Sequence, residues 1–287
     1  MIREYYRLAK PGIIYGNTFT TIAGFLFAAR FMFNAEVLVL FIATILGIAL
    51  VIASAAVFNN YLDRNMDAKM ERTSKRVLVT GAITPRAALI YGTILGILGI
   101  AILYVFVNML TTEVALFGFL SYVLVYTPAK SRTHWAALIG TLPGAVPILV
   151  GYTAVANQID VSALLLVLAL IAWQMPHFYA IAIYRMQEYV AADVPVLPAK
   201  KGILVTKIHI LAYIIAFTGV AVALFAFHRV GYAYLIVMLA VSLTWIWKSI
   251  KGFNTQNDAV WAKGLFLYSL IVLITYSIAL AVGPILP

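Results

Sequence analysis

Nine runs of apolar residues, nearly all long enough to cross a bilayer, follow one another along the chain at 12–29, 37–58, 87–107, 113–127, 136–156, 161–184, 207–227, 231–247 and 264–285. A hydrocarbon core about 30 Å thick needs about 17 to 25 residues of helix to span it. Only helices and closed barrels satisfy their backbone hydrogen bonds in lipid. Barrel strands alternate polar and apolar residues over about ten positions, whereas these runs are continuously apolar. The expected fold class is therefore all-α, a polytopic membrane protein with nine transmembrane helices, read as a single domain over 1–287.

Composition agrees. Of 287 residues 64% are hydrophobic and 10% charged, with a mean hydropathy of +1.00, where soluble domains carry about a quarter charged residues. The absence of cysteine excludes disulfides, thiolate metal sites and cysteine nucleophiles. A net charge of +10 could suit nucleic acid, but that needs a basic face on a soluble fold, and here the charges sit in loops between apolar runs. The expected partners are the lipid bilayer and anionic substrates, with no nucleic acid. The first run, flanked by Arg3, Arg7 and Lys10, ends in "FLFAARF" without a small-x-small cleavage site, so it reads as a retained helix.

With the N-terminus in the cytoplasm, eighteen of the twenty Lys and Arg residues fall on the inside and only Arg30 and Arg229 outside, the sense of the positive-inside rule. The C-terminus is then periplasmic, the expected location is a bacterial inner (cytoplasmic) membrane, and the long loops 59–86, 185–206 and 248–263 share the inner face.

One inner stretch, "FNNYLDRNMDAKMERTSKR", holds three of the ten acids and five of the twenty basic residues. Asn59, Asp63 and Asp67 recur every four positions, and each such step turns only about 40° around a helix. If the second span continues past Asn59, an amide and two carboxylates line one stripe, with Arg72, Lys75 and Arg76 close behind. A solvated loop of paired charges is one reading; a magnesium site with a phosphate clamp is the other. Two carboxylates facing a diphosphate repel it by several kcal/mol per close pair at an effective dielectric of about 20. Magnesium reverses that sign, because it takes one or two carboxylates plus phosphate oxygens and waters, and arginines grip the remaining oxygens. A second acidic stretch, "YRMQEYVAADVPVLPAKKG", lies an even number of crossings later and thus on the same face. Its Glu188 and Asp193 are five apart, so either Asp193 lies beyond a helix end near Pro195 and Pro198 or Glu188 alone is a ligand.

"LAKPGIIYGN", "NNYLDRNMDAKMERTSKRVLVTG", "WQMPHFYAIAIYR" and "AADVPVLPAKKG" resemble the UbiA-type intramembrane prenyltransferases, and among them the bacterial protoheme IX farnesyltransferases, from Lys10 to the ninth span. The resemblance implies a nine-helix bundle around a central cavity, with two acidic motifs that hold Mg2+ and an isoprenoid diphosphate. Asn59, Asp63 and Asp67 match the first motif residue by residue. Glu188-x-x-x-x-Asp193 departs from the usual Asp-x-x-x-Asp, and Glu188-Tyr189 is the closer match to the heme-modifying members. It thus implies Asp63, Asp67 and Glu188 as metal ligands, Arg72 and Arg76 as further catalytic groups, and Lys130, Arg132, Asp193 and Tyr61 as substrate contacts. The implied reaction moves a farnesyl group from farnesyl diphosphate to a vinyl group of heme b with addition of water. The product, heme O, would pass to heme-copper oxidase assembly or to the next heme-modifying enzyme.

An allylic cation needs aromatic shelter, for which Tyr15, Phe58, Tyr61, Tyr126, Trp173, Phe178 and Tyr184 are available, and heme needs a ligand. His177 lies eight residues before Arg185, about 12 Å inside its helix, where a polar side chain points to function; imidazole commonly ligates heme iron. His209 is the next candidate, with a hydrogen bond to a neighbouring helix as the structural alternative for either. Asn17, one turn into the first span, reads as a cavity residue, and Lys10 as a snorkelling side chain at the interface. Three rivals stay open: a phenolic acceptor, which shares the acids without needing His177; a phosphatidyltransferase, whose Asp-Gly and Ala-Arg pairs are absent; and an ion-coupled transporter, which favours acids at mid-membrane.

Overall fold

The computed structural model describes residues 1–32 and 34–287. Among the described residues nine helices are long and apolar enough to cross a membrane, and there is no strand. They are α1 (Pro11–Ala29), α2 (Ala35–Asp67), α3 (Pro85–Phe106), α4 (Met109–Ala129), α5 (Ala136–Ala156), α6 (Val161–Tyr184), α7 (Ile203–Ala226), α8 (Tyr232–Asn254) and α9 (Asp258–Val282). Short polar residues start five of them. Asn34, Thr84, Asn108, Asp160 and Asn257 each accept a hydrogen bond from the backbone N–H three residues on, satisfying one of the donors that a helix start leaves open.

Several boundaries differ from the hydropathy reading, among them the end of α8, which runs to Asn254 rather than 247. α2 continues through Asp67, nine residues beyond the expected 58; α4 fills a whole span by including a widened π-helical stretch at Ser121–Tyr126; and α9 starts at Asp258, not 264. The expected inner loop 248–263 therefore shrinks to a turn through Thr255–Asn257. Charged residues ended the apolar runs, but charges on the last turns of a helix reach water without breaking its backbone ladder.

Consecutive helices pack side by side, and α9 returns to α1, closing a ring; α5 also touches α1 and α2, and α6 touches α9. α5 and α6 are the most enclosed, 67% and 61% buried along their spanning windows. The contact of α1 with α5 depends on two glycines: a Cβ on Gly24 would lie 2.2 Å from the Ile148 carbonyl oxygen, and one on Gly151 2.0 Å from that of Thr21. Such backbone approach is how membrane helices associate without a hydrophobic drive between them.

All the longer connections, 68–84, 130–135 and 185–202, lie at one end of the bundle. There Met70 of the first packs with Ala192 and Val194 of the third, so the two acidic segments form one layer. The third carries two short helices, Met186–Ala191 and Leu197–Lys201, and Asp193 falls between them, past the helix end, with φ of 57°.

Candidate active site

Because α2 does not stop at its last apolar residue, Asn59, Asp63 and Asp67 stand on one rigid stripe, 1%, 4% and 3% exposed. Carboxylates at that depth require partners. Lys130 Nζ lies 2.5 Å from Asp63 Oδ2, and Arg76 Nη1 lies 2.5 Å from Asp67 Oδ2. Asn59 ties the cluster together: its Nδ2 donates to Asp63 Oδ2 (2.9 Å) and to Thr127 Oγ1 (3.0 Å), and its Oδ1 accepts from Lys10 Nζ (2.6 Å). Thr127 and Lys130 follow directly on the π-helical stretch, and Thr127 Oγ1 donates back to the Tyr122 carbonyl five residues earlier (2.9 Å). The widened turn brings the end of α4 against α2, the kind of local irregularity that marks functional sites.

Lys10 corrects an expectation. It does not snorkel to the interface but turns inward onto Asn59, with its backbone in the left-handed region (φ 53°) that costs a residue with a side chain about 1–3 kcal/mol. Burial first, then the charges of Arg76 and Lys130, hold its pKa well below the usual lysine value. Two cations thus pair with the two carboxylates, and Lys10 stands beside them as a third basic group that an arriving anion would keep charged.

The other expected site residues are distributed unevenly. Arg72 is exposed and in no ion pair among the described residues. Glu188 pairs with Arg185 through Oε1 (2.6 Å), while its buried Oε2 has no partner among the described residues; among these, no three His, Asp or Glu side chains converge on one metal position. Asp193 is exposed, 3.5 Å from Lys69, and Arg132 is exposed. Asn17 turns back onto its own helix, donating to the Ile13 carbonyl (2.8 Å). Tyr61 is two positions from Asn59, about 200° round the helix, and packs away from the stripe against the cluster of Leu8, Val57 and Leu78, beneath Arg64. Asp63 and Asp67 offer a donor pair suited to a hard divalent ion: carboxylate oxygens one turn apart on one rigid stripe.

A cavity of about 120 Å³ opens beside Lys130, lined by Tyr126, Phe178, Tyr179, Tyr189 and Val196 among others. A larger one of about 340 Å³, lined by Leu110, Glu113, Phe117 and Leu149, belongs to the opposite half of the bundle, far from the aspartates. Phe178 joins the inner cavity to His177, their rings 5.7 Å apart. Trp173 stacks on the imidazole at 4.9 Å, and the Phe266 ring stands tilted 4.9 Å from it. The tautomer follows from proton counting. Ser269 Oγ donates its single proton to the Phe266 carbonyl (2.6 Å), so it accepts from His177 Nδ1–H (2.8 Å), and Nε2 keeps its lone pair. Metal-binding histidines are held in this way, through the far ring nitrogen. His209 is placed elsewhere: its ring lies 5.9 Å from Tyr179, about 200° round α6 from His177, and 6.5 Å from Trp135. The two histidines therefore face opposite sides of α6 and cannot share one iron. Of the aromatic candidates Tyr126, Trp173, Phe178 and Tyr184 surround this region; Tyr15 is exposed, and Phe58 packs on Phe119.

Residues 17–271 match the UbiA prenyltransferase family. The chain is 46% identical over its whole length to the protoheme IX farnesyltransferase of Photorhabdus laumondii, covering 97% of that protein. It is 48% identical to the one from Protochlamydia amoebophila, over 98% of each. Among solved structures it superposes on digeranylgeranylglyceryl phosphate synthase with a TM-score of 0.82 at 20% identity, over 99% and 98% of the two chains. It also superposes on a UbiA homolog from Archaeoglobus fulgidus bound to GPP and Mg2+, TM-score 0.71 at 15% identity, over 97% and 99%.

Proposed function

We infer, from the fact that the chain belongs to the UbiA prenyltransferase family and from the chemistry gathered at its loop-bearing end, that it transfers a farnesyl group from farnesyl diphosphate to a vinyl group of heme b, with addition of water, giving heme O. The observation that carries this reading is the identity of 46% and 48%, along essentially the whole chain, with two proteins named protoheme IX farnesyltransferase. The geometry supplies what the reaction requires. The allylic C–O bond must break with its electron pair leaving on diphosphate, the vinyl π electrons must form the new C–C bond, and water must close on the remaining cationic carbon and release a proton.

Lys10, Lys130 and Arg76 form a preorganised cationic pocket where the diphosphate charge develops, the usual source of most catalytic stabilisation. Asp63 and Asp67 hold the lysine and arginine in position, and Arg72, exposed and in no ion pair among the described residues, lies on the same connection as Arg76 and is available to a diphosphate oxygen. Bound at Asp63 and Asp67, a magnesium ion would add the Lewis-acid charge that a departing diphosphate calls for; Glu188, whose Oε2 is unpartnered beside Arg185, would supply a further carboxylate from the same layer. The farnesyl chain runs into the cavity lined by Tyr126 and Phe178, whose ring faces favour a cation. His177 Nε2 takes the heme iron, placing the porphyrin beside Phe178.

The whole chain works as one unit in a bacterial inner membrane, with the loop-bearing end in the cytoplasm, as eighteen of twenty basic residues support. Its product goes to a further heme-modifying enzyme or to oxidase assembly. Membranes containing the protein, incubated with heme b and farnesyl diphosphate, should yield a heme heavier by a farnesyl group and one water. Unchanged heme, together with prenylation of a phenolic acid, would overturn the reading in favour of a quinone precursor.

A further inference from the structure

The face of α6 that carries His177 continues toward the loop-bearing end as an aromatic wall that finishes in positive charge. Tyr184 lies seven residues on, only about 20° from the same stripe and about 10.5 Å farther along the axis. Its ring stands 5.8 Å from Phe266, which itself flanks His177. His177, Tyr184 and Phe266 are all partly exposed, while Trp173, Pro176 and Tyr179 around them are buried, so this line of rings reaches the surface along the contact of α6 with α9. At its end the Arg185 guanidinium lies over the Tyr184 ring, 4.9 Å from the centroid. Its Nε donates to Tyr184 Oη (2.7 Å) and its Nη1 to Glu188 (2.6 Å), while Nη2 donates to no group among the described residues. Across the seam, one turn nearer the loops than Phe266, α9 presents Lys263, exposed and in no ion pair among the described residues.

We propose that Arg185 and Lys263 form the carboxylate-binding end of the acceptor site and take the two propionates of heme b. This rests on the protoheme reading above and extends it from the iron to the orientation of the ring. Heme is a flat apolar plate with both carboxylates on one edge. With the iron at His177, that edge reaches the level of Arg185 and Lys263, where water and cations are available, and the apolar remainder lies against Phe266 and Tyr184. Glu188 opposes a propionate by its charge but fixes the guanidinium from behind, leaving Nη2 for the bidentate geometry that arginine offers a carboxylate. Anchoring the propionates decides which edge can approach Phe178 and the cavity beside Lys130, so this pair sets the regiochemistry of transfer by orientation.

The test compares heme b with its dimethyl ester, which keeps the iron and vinyl groups but lacks carboxylates. Both are titrated into the purified full-length protein in detergent and followed by the change in heme absorption. Wild type should bind heme b about tenfold or more tighter than the ester, as expected for two charge-assisted contacts. Arg185→Gln and Lys263→Gln should each weaken heme b several-fold and leave the ester unchanged, and the double variant should bind the two alike. Lys263 is exposed, so its variant keeps the test valid if Arg185→Gln misfolds. Equal loss for both ligands, or no preference in wild type, overturns the proposal while leaving heme as the acceptor. Wild type that binds neither ligand overturns the acceptor reading along with it.

Discussion

Lys10→Met tests the cationic pocket most directly, because it removes the amine while keeping an unbranched side chain one atom shorter. Lys10 is the third basic group beside Asp63 and Asp67 and is tied to them only through Asn59. A charge-assisted hydrogen bond to a phosphate oxygen contributes about 1.5–3 kcal/mol, and a unit charge pair at about 4 Å has a ceiling of about 4 kcal/mol at an effective dielectric of 20. The variant should therefore bind a non-reactive farnesyl thiodiphosphate about 10- to 100-fold more weakly, measured by calorimetry in detergent. The pH dependence sharpens the test. The free protein holds the Lys10 proton weakly, from burial and from Arg76 and Lys130, whereas an anion beside it must raise that pKa. Binding then takes up a proton: affinity is flat where the free side chain is already protonated and falls as pH rises through its depressed pKa. Lys10→Arg should keep the affinity but lose this fall, since arginine stays charged. Affinity within threefold of wild type in Lys10→Met, with the same pH profile, would refute the assignment.

Asp63→Asn and Asp67→Asn should each abolish turnover while heme b still binds, and chelation of divalent ions should have the same effect; activity within a few-fold of wild type in either variant would return the stripe to a solely structural role. A periplasmic reporter fused after Pro287 should be active and one inserted within 68–84 inactive; the reverse at either site would invert the topology. Gly151→Ala should lose about 1–3 kcal/mol through overpacking against the Thr21 carbonyl, seen as a lower unfolding temperature. Gly219→Ala, where a Cβ meets nothing within 4 Å, should be neutral or mildly stabilising; equal shifts in the two would refute the close-contact account.

Hydropathy located every span because lipid imposes one rule on each segment, and the capping residues Asn34, Asn108, Asp160 and Asn257 stood in the sequence where their helices begin. The four-residue spacing of Asn59, Asp63 and Asp67 was legible for the same reason: it is local. What a partner on another helix decides was not. Lys10 looked like any interfacial lysine until α1 set it against Asn59. Thr127 had no distinguishing mark at all, since the π-helical turn that presents it leaves no pattern in "SYVLVY". Tyr61 and His209 were plausible by type and nearness, and each lies about half a turn from where it would be needed.

The length of α2 has a mechanical consequence. One unbroken rod of 33 residues, about 50 Å, joins the Asn34 cap at one surface to the aspartates beyond the other, with no hinge to absorb displacement. The height of the aspartates above the lipid is therefore geared to bilayer thickness. In a thick membrane the rod must stand upright or draw its charged end toward hydrocarbon; in a thin one it tilts and swings that end sideways against α4. Turnover in vesicles of graded acyl-chain length and fixed headgroup should peak at one thickness, and a flat profile would mean that the bundle moves as a whole around its site.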